Sequence, residues 1–368
     1  MSHIGPLIAW PGTSRVQVRA PVKGCYNLFV RKLYGKVKQT LDRHHDKLWW
    51  AHSIYALALG VGVVILAHRK FYLVKWLILT IFGLWLGLLI FNRFLAGQAG
   101  GSKKKGVKVV FNYIMKNLYQ QMFFFMIPFY YDTTTFGSIN MWFLAGIAIC
   151  AVLSTQDIIF DRYIMENRYF ASFFYAFCIF ASFIIFLPLL FGVRNIVAVY
   201  LAGVFSILLF SSLHFQPRQL FSRMGAISLV VAICLFLAFL GWGRRGIPPA
   251  PIRQVSSSIA VGRDPRTGEP VGRFYRIHAD DLRSHPLYCF TAIETPLQIR
   301  EDIRHVWFLR GKEVFRKTFH MVHSKTEKGV ELYSRISRFP PDPVGEWVVE
   351  ARTTGDQLIG QTKFLVVR

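Results

Sequence analysis

The sequence predicts a membrane α-helical bundle of about seven transmembrane helices, followed by an all-β antiparallel sandwich. Three observations predict it. Long apolar runs recur at a spacing suited to membrane spans as far as Gly241. After Pro251 no apolar run exceeds the length of a strand. Beyond that point polar and apolar residues alternate, the period of a half-buried strand. The expected organisation is a basic cytoplasmic tail at residues 1–48, a polytopic domain at 49–243, a linker at 244–252 and an extracytoplasmic sandwich at 253–368.

Composition agrees with lipid as the solvent of the first part. Hydrophobic residues make up 53% of the chain and 34 of its 368 residues are Phe, an excess common in membrane segments. About 20 apolar residues span the ~30 Å hydrocarbon layer as a helix. The candidate spans are residues 49–67, 71–91, 109–131, 141–154, 170–191, 196–213 and 226–242. The third carries Asn112, Lys116, Asn117, Gln120 and Gln121, and the fourth is short. A count of about six spans is therefore the alternative.

Lys and Arg set the orientation. The tail before Trp49 holds Arg15, Arg19, Lys23, Arg31, Lys32, Lys36, Lys38, Arg43 and Lys47. Lys103, Lys104, Lys105, Lys108, Arg162, Arg168, Arg218 and Arg223 fall on the same side. The opposite loops offer Arg69, Lys70 and Arg194, and the 132–140 loop has no basic residue. Cytoplasmic loops are enriched in Lys and Arg, so the N-terminus is expected in the cytoplasm and the C-terminal domain in the periplasm of an inner-membrane protein. Arg244 and Arg245 run against the pattern. The net charge of +24 divides unevenly. Residues 253–368 contain 19 Lys/Arg and 14 Asp/Glu, giving +5, which leaves +19 for the rest. Most of the charge is thus topogenic and faces an anionic leaflet, and nucleic acid is not an expected partner.

The first residues lack the apolar core of a cleavable signal peptide, so the first span is expected to serve as its own insertion signal. Tyr26, Phe29, Leu33, Val37 and Leu41 recur at helical spacing with Arg31, Lys32, Lys36 and Lys38 at other angles, the pattern of an interfacial amphipathic helix. Of the scattered cysteines Cys25, Cys150, Cys178, Cys234 and Cys289, Cys289 alone lies in the sandwich, which therefore must rely on its core and not on an internal disulfide.

Acids are scarce before the sandwich: Asp42, Asp46, Asp132, Asp157, Asp161 and Glu166. Asp157 and Asp161 stand one helical turn apart, as do Lys116 and Gln120. Ionisable groups at membrane depth are costly and are normally paired. Lys116, Gln120, Asp157 and Asp161 therefore form the candidate intramembrane polar site, either as interhelical glue or as an ion relay or substrate site. Pro128, in the run Phe123–Tyr131, is expected to kink or end its span, with the hydroxyls of Thr133–Thr135 bonding the freed carbonyls.

No catalytic constellation stands out, and no cofactor is implied. His44-His45-Asp46 reads as a solvated turn. His320 and His323 sit at odd spacing in a strand, on opposite faces. Gly100-Gly101-Ser102 followed by Lys103–Lys105 lacks P-loop spacing and reads as a flexible basic loop.

Strands are expected at residues 257–261, 272–278, 287–293, 303–309, 314–322, 330–337, 347–352 and 358–367, with hairpin turns at Arg310–Glu313 and Thr353–Asp356. This spacing suggests an antiparallel sandwich of the immunoglobulin-like kind. Its expected core is Trp307, Leu309, Phe315, Phe319, Leu332, Ile336, Trp347, Val349 and Phe364. Gly311 and Gly355 read as turn residues needing permissive backbone angles. The ordered motifs His305–Glu313, Leu332–Arg335, Gly345–Glu350 and Gly355–Phe364 resemble the bacterial domain-of-unknown-function family 2914. The membrane half, through Phe124–Phe129, the threonines after it and Asp157–Tyr163, resembles domain-of-unknown-function family 5924. Where that family's pattern has a His-Gln-Glu-like triplet, this chain reads Tyr119-Gln120-Gln121. The resemblance implies architecture and no assigned activity.

The expected function is that of a non-enzymatic inner-membrane protein presenting a sandwich to a protein partner or envelope polymer. The alternative is a transporter or intramembrane enzyme working through Lys116, Gln120, Asp157 and Asp161.

Overall fold

The computed structural model describes residues 54–55, 58, 60–62, 83, 87, 102–156, 160, 167–295, 299–322 and 329–368. The amphipathic stretch 26–41 and most of the first two expected spans lie outside them. Between Ser102 and the first strand the described residues form α1 (Ser102–Thr133), α2 (Met141–Thr155), α3 (Arg168–Phe191), α4 (Asn195–His214), α5 (Pro217–Leu220) and α6 (Arg223–Gly243). A 3-10 turn, Arg244–Gly246, follows. Among the described residues three segments are long and apolar enough to cross a membrane: Tyr169–Phe191, Asn195–His214 and Arg223–Gly246. The apolar α2, with 15 residues, is shorter. The seven spans expected from the sequence thus reduce, among the described residues, to three helices of spanning length and one short one.

The basic run at Lys103–Lys105 is not a loop. It belongs to the first turns of α1, where lysine is a good helix former. Pro128 does not end α1, which continues to Thr133. Nor do the threonines serve the proline. Thr133 Oγ1 donates to the carbonyls of Phe129 (2.9 Å) and Tyr130 (3.3 Å), and Thr134 Oγ1 donates to Tyr130 (2.6 Å). They satisfy the last carbonyls of the helix, which have no intrahelical donors. Asn167 caps α3 by accepting from the Tyr169 and Phe170 amides. The helices enclose a core rich in aromatics, in which Phe123, Phe174 and Tyr119 meet edge to face.

The sandwich comprises β1 (Arg253–Arg263), β2 (Pro270–Arg273), β3 (Arg276–His278), a short α7 (Asp281–Ser284), β4 (Leu287–Glu294), β5 (Glu301–Leu309), β6 (Lys312–Val322), β7 (Val330–Ile336), β8 (Gly345–Thr353) and β9 (Leu358–Val367). One sheet runs β2-β1-β4-β7 and the other β3-β9-β8-β5-β6. The pairs are antiparallel except β3 with β9. The expected strand 272–278 is two strands because the chain changes sheets within it. Phe274 N still donates to Ile259 O of β1, whereas Tyr275 O already accepts from Leu365 N of β9. At the β5–β6 hairpin Arg310 and Gly311 have φ of 47° and 79°, the geometry of a tight two-residue turn.

Trp307, Leu309, Leu332, Ile336, Trp347, Val349 and Phe364 are buried as expected, while Phe315 and Phe319 on the edge strand β6 are half-buried. Trp347 stacks on Phe364 at 5.7 Å, and its indole N–H donates to Pro343 O (2.8 Å).

Candidate functional site

Two places concentrate buried polarity in the sandwich and at its base. The first lies in the middle of the sandwich. Inward residues alternate along a strand, and they read Ile303–His305–Trp307 on β5, Ile293–Thr291–Cys289 on β4 and Leu332–Ser334–Ile336 on β7. The outer members belong to two separate apolar clusters, and the polar middle members lie between them. His305 bridges the sheets. Its Nε2 is 2.8 Å from Thr291 Oγ1 and its Nδ1 is 2.9 Å from Ser334 Oγ. Trp307 Nε1 donates to the same Ser334 oxygen at 2.9 Å. Burial, with Lys317 nearby, pushes the imidazole down to about 3, so it is neutral at ordinary pH. His305 and Ser334 are 0% exposed, so this serine–histidine pair has no path to a substrate and acts as an inter-sheet pin.

The second place is the seam where the helices meet the sandwich. The Arg194 guanidinium, just before α4, pairs with Asp302 and lies 3.9 Å from Glu301 Oε1. Asn195 N, at the start of α4, donates to Glu301 Oε2 at 3.0 Å. A carboxylate there also meets the positive end of the helix dipole. Burial raises the Glu301 carboxyl above its ordinary range, partly offset by the Asn195 amide and Arg194. Asp302 is lowered, first by the Met321 N–H and then by Arg194.

Asn140 stands at the N-cap of α2 but makes no side-chain cap bond. Its Oδ1 accepts from Thr135 N, and its Nδ2 donates to Leu358 O of β9 at 3.2 Å. Asn195 Nδ2 donates to Pro249 O (2.8 Å), and Gln357 Nε2 donates to Ile247 O (3.3 Å). Arg244 Nη2 lies 3.2 Å from Asp356 Oδ2, and Arg245 lies 4.0 Å from it. Gly355 is not needed for its φ, since the left-handed residue of this turn is Asp356 at 64°. A Cβ on Gly355 would stand 2.9 Å from Ile196 Cβ, so the glycine permits close contact with α4.

Of the sequence-predicted polar site, Lys116 and Gln120 are buried on α1, at 1% and 4% exposure. Asp157 and Asp161 lie outside the described residues. Beside Lys116 and Gln120 in the sequence is Tyr119, which packs against Phe174 and Tyr175. Among the described residues the hydroxyls of Tyr119 and Tyr175 have no hydrogen-bond partner. No group of three His, Cys, Asp or Glu among the described residues could hold a metal. Sequence reasoning missed the seam. Its signal was the exception to the charge pattern: Arg194, Arg244 and Arg245, on the side poor in basic residues, all face carboxylates of the sandwich.

A family model described as "Family of unknown function (DUF5924)" matches residues 30–289. The chain belongs to this family. A second, "Protein of unknown function (DUF2914)", matches residues 300–366. The DUF5924 match runs past the helices through β1, β2 and β3 into β4, so the boundary between the two falls inside the sandwich. No curated protein matches the chain. Among solved structures, an immunoglobulin-like protein from Pseudomonas aeruginosa is similar at 9% identity, covering 32% of this chain and 96% of its own, with a TM-score of 0.22.

Proposed function

We propose that the chain is a non-enzymatic inner-membrane protein whose helices hold a β-sandwich at the periplasmic surface, where it binds a protein partner or an envelope polymer. The seam carries this reading. A domain on a free tether needs no fixed contacts, whereas this one is held by side chains from the α1–α2 loop, the start of α4 and the turn after α6. The helix ends that meet it are those poor in Lys and Arg, once Arg194, Arg244 and Arg245 are counted as partners of the sandwich. That pattern favours the outer side of the membrane. Fusions after Val367 test the placement. An alkaline phosphatase there should be active and a cytoplasmic reporter silent; the reverse result would overturn the reading.

One observation favours the alternative of a transporter or intramembrane enzyme, namely the burial of Lys116 and Gln120 on α1. Buried polarity within a membrane domain is often functional. A Lys116→Met variant that keeps wild-type stability in detergent and loses a cellular phenotype would move the reading there. A variant that loses stability would leave Lys116 as structural glue.

A further inference from the structure

The outer face of the four-stranded sheet carries a feature the seam does not explain. Since Leu287, Cys289, Thr291 and Ile293 point inward, Tyr288 and Phe290 lie on the other side of the sheet, Tyr288 half-buried and Phe290 covered to 7% exposure by its neighbours. Across the strands Arg273, Ala260, Tyr288 and Arg335 form one row, and Ser258, Phe290 and Tyr333 form the next. The rings of Tyr288, Phe290 and Tyr333 succeed one another at 6.1 Å spacing. Arg263 lies 4.4 Å from the Tyr333 ring centroid and Arg335 lies 5.9 Å from that of Tyr288. At the margin Lys317 Nζ donates to Tyr333 O at 3.3 Å.

These cations differ from others in the domain. Arg253, Arg310, Arg316 and Arg352 each pair with a carboxylate. Among the described residues Arg263, Arg273, Arg335 and Lys317 form no such salt bridge. Stacking on a ring fixes a guanidinium in place and leaves its charge available; Arg263 Nε donates to Gly268 O at 3.3 Å, so its free edge is the terminal Nη pair.

We propose that this face binds an acidic polysaccharide, an inference that rests on the reading above that the sandwich lies outside the membrane. The guanidinium edges supply paired donors for carboxylates. The phenol hydroxyls of the half-buried Tyr288 and Tyr333 both donate and accept, which suits sugar hydroxyls. The row crosses neighbouring strands at a spacing of about 4.8 Å, so an extended chain can engage it repeatedly. Cations over the tyrosine rings cover faces that a nucleobase would need for stacking. An acidic peptide would use the charges but not the hydroxyls.

The test is calorimetric titration of the full chain in detergent with polygalacturonate oligomers. Dextran, polyglutamate and oligodeoxythymidylate of similar length serve as comparisons. Polygalacturonate should bind, dextran should not, and the other polyanions should bind at least about tenfold more weakly. Replacing Arg263 and Arg335 by Gln should weaken polygalacturonate binding on the order of tenfold or more. The Tyr288→Phe/Tyr333→Phe pair, which removes only hydroxyls, should weaken it a few-fold and keeps the test decisive if the arginine variant fails to fold. Absent binding, equal binding by a folded variant, or equal or tighter binding of polyglutamate or oligodeoxythymidylate would overturn the proposal. A periplasmic C-terminus with no polygalacturonate binding would sink this inference alone. A cytoplasmic C-terminus would sink the placement instead, whatever the titration gives.

Discussion

Buried serine and threonine hydroxyls are satisfied differently in the two halves of the molecule, although the Tyr130 hydroxyl of the helical half does reach another helix, at the Ala181 carbonyl. In the helices Ser182 Oγ donates to the Cys178 carbonyl and Ser206 Oγ to Ala202, each one turn back and each at 2.7 Å. In the sandwich Thr291 and Ser334 reach His305 on the opposing sheet. A helix that satisfies its polar groups locally can meet lipid or another helix on any side. A polar group satisfied across two sheets fixes which strands face each other and in what register. The serines of the helices thus place few demands on neighbouring elements, whereas the sandwich is specified from within. The comparison implies that losses in the sandwich should be large, and those at the seam small and specific.

The largest expected effect tests whether the sandwich depends on its own core. Trp347 is fully buried, stacked on Phe364 and hydrogen-bonded through its indole. Trp347→Ala should cost about 3–5 kcal/mol in denaturant unfolding of the sandwich. A loss below about 0.5 kcal/mol would mean that the ring is not core.

The inter-sheet pin should show itself through pH. His305 in the folded chain titrates at about 3, against an ordinary value of 6.5. Below 6.5 the unfolded chain takes up a proton that the folded chain refuses. The pin is therefore at full strength above pH 6.5 and weakens as pH falls toward 3, at up to about 1.4 kcal/mol per pH unit. Sandwich melting followed from pH 7.5 to 4.5 should fall accordingly. In His305→Gln, which keeps hydrogen-bonding capacity and cannot titrate, that part of the slope should vanish. A slope unchanged by the substitution would place its origin elsewhere.

Much of this division was legible in the sequence. The change at Gly241–Pro251 separates helices from strands because continuous apolar runs give way to alternation, and the alternation around Trp307 and Trp347 marks true core positions. What could not be read was anything requiring two distant segments at once. Tyr275 joins β9 only because the sheets close on each other. Asn140 looks like an N-cap, yet is drawn off to Leu358, more than 200 positions later. Gly355 has the appearance of a turn residue, whereas Ile196 sets its requirement. For the polar site, spacing put Lys116 and Gln120 on one helical face, and both are buried. Spacing alone did not reveal that Tyr119, next to Gln120 in the sequence, packs against Tyr175 of α3.

Gly355→Val probes whether the seam holds the sandwich independently of its core. The added side chain would collide with Ile196, and relief by separation should cost about 1–3 kcal/mol. The readout is faster proteolysis within 246–252 with an unchanged melting transition of the sandwich. Equal destabilisation of both would mean that seam and core form one cooperative unit.

The smallest effect belongs to the Arg244–Asp356 pair. Its side chains are 30% and 26% exposed at a separation of 3.2 Å, so water screens part of the attraction. Exposed pairs of this kind contribute about 0–1 kcal/mol, decreasing with added salt. In a double-mutant cycle Arg244→Gln and Asp356→Asn should therefore couple by less than about 1 kcal/mol in the linker-proteolysis assay, and the coupling should vanish near 1 M salt. Arg245, at 4.0 Å from the same carboxylate, can take over part of the interaction and lowers the expectation further. A coupling above about 2 kcal/mol that survives salt would mean that the pair is far less solvated than its exposure implies. The seam would then be as internally specified as the sandwich core, and the contrast between the two halves would have to be redrawn with the boundary inside the helices.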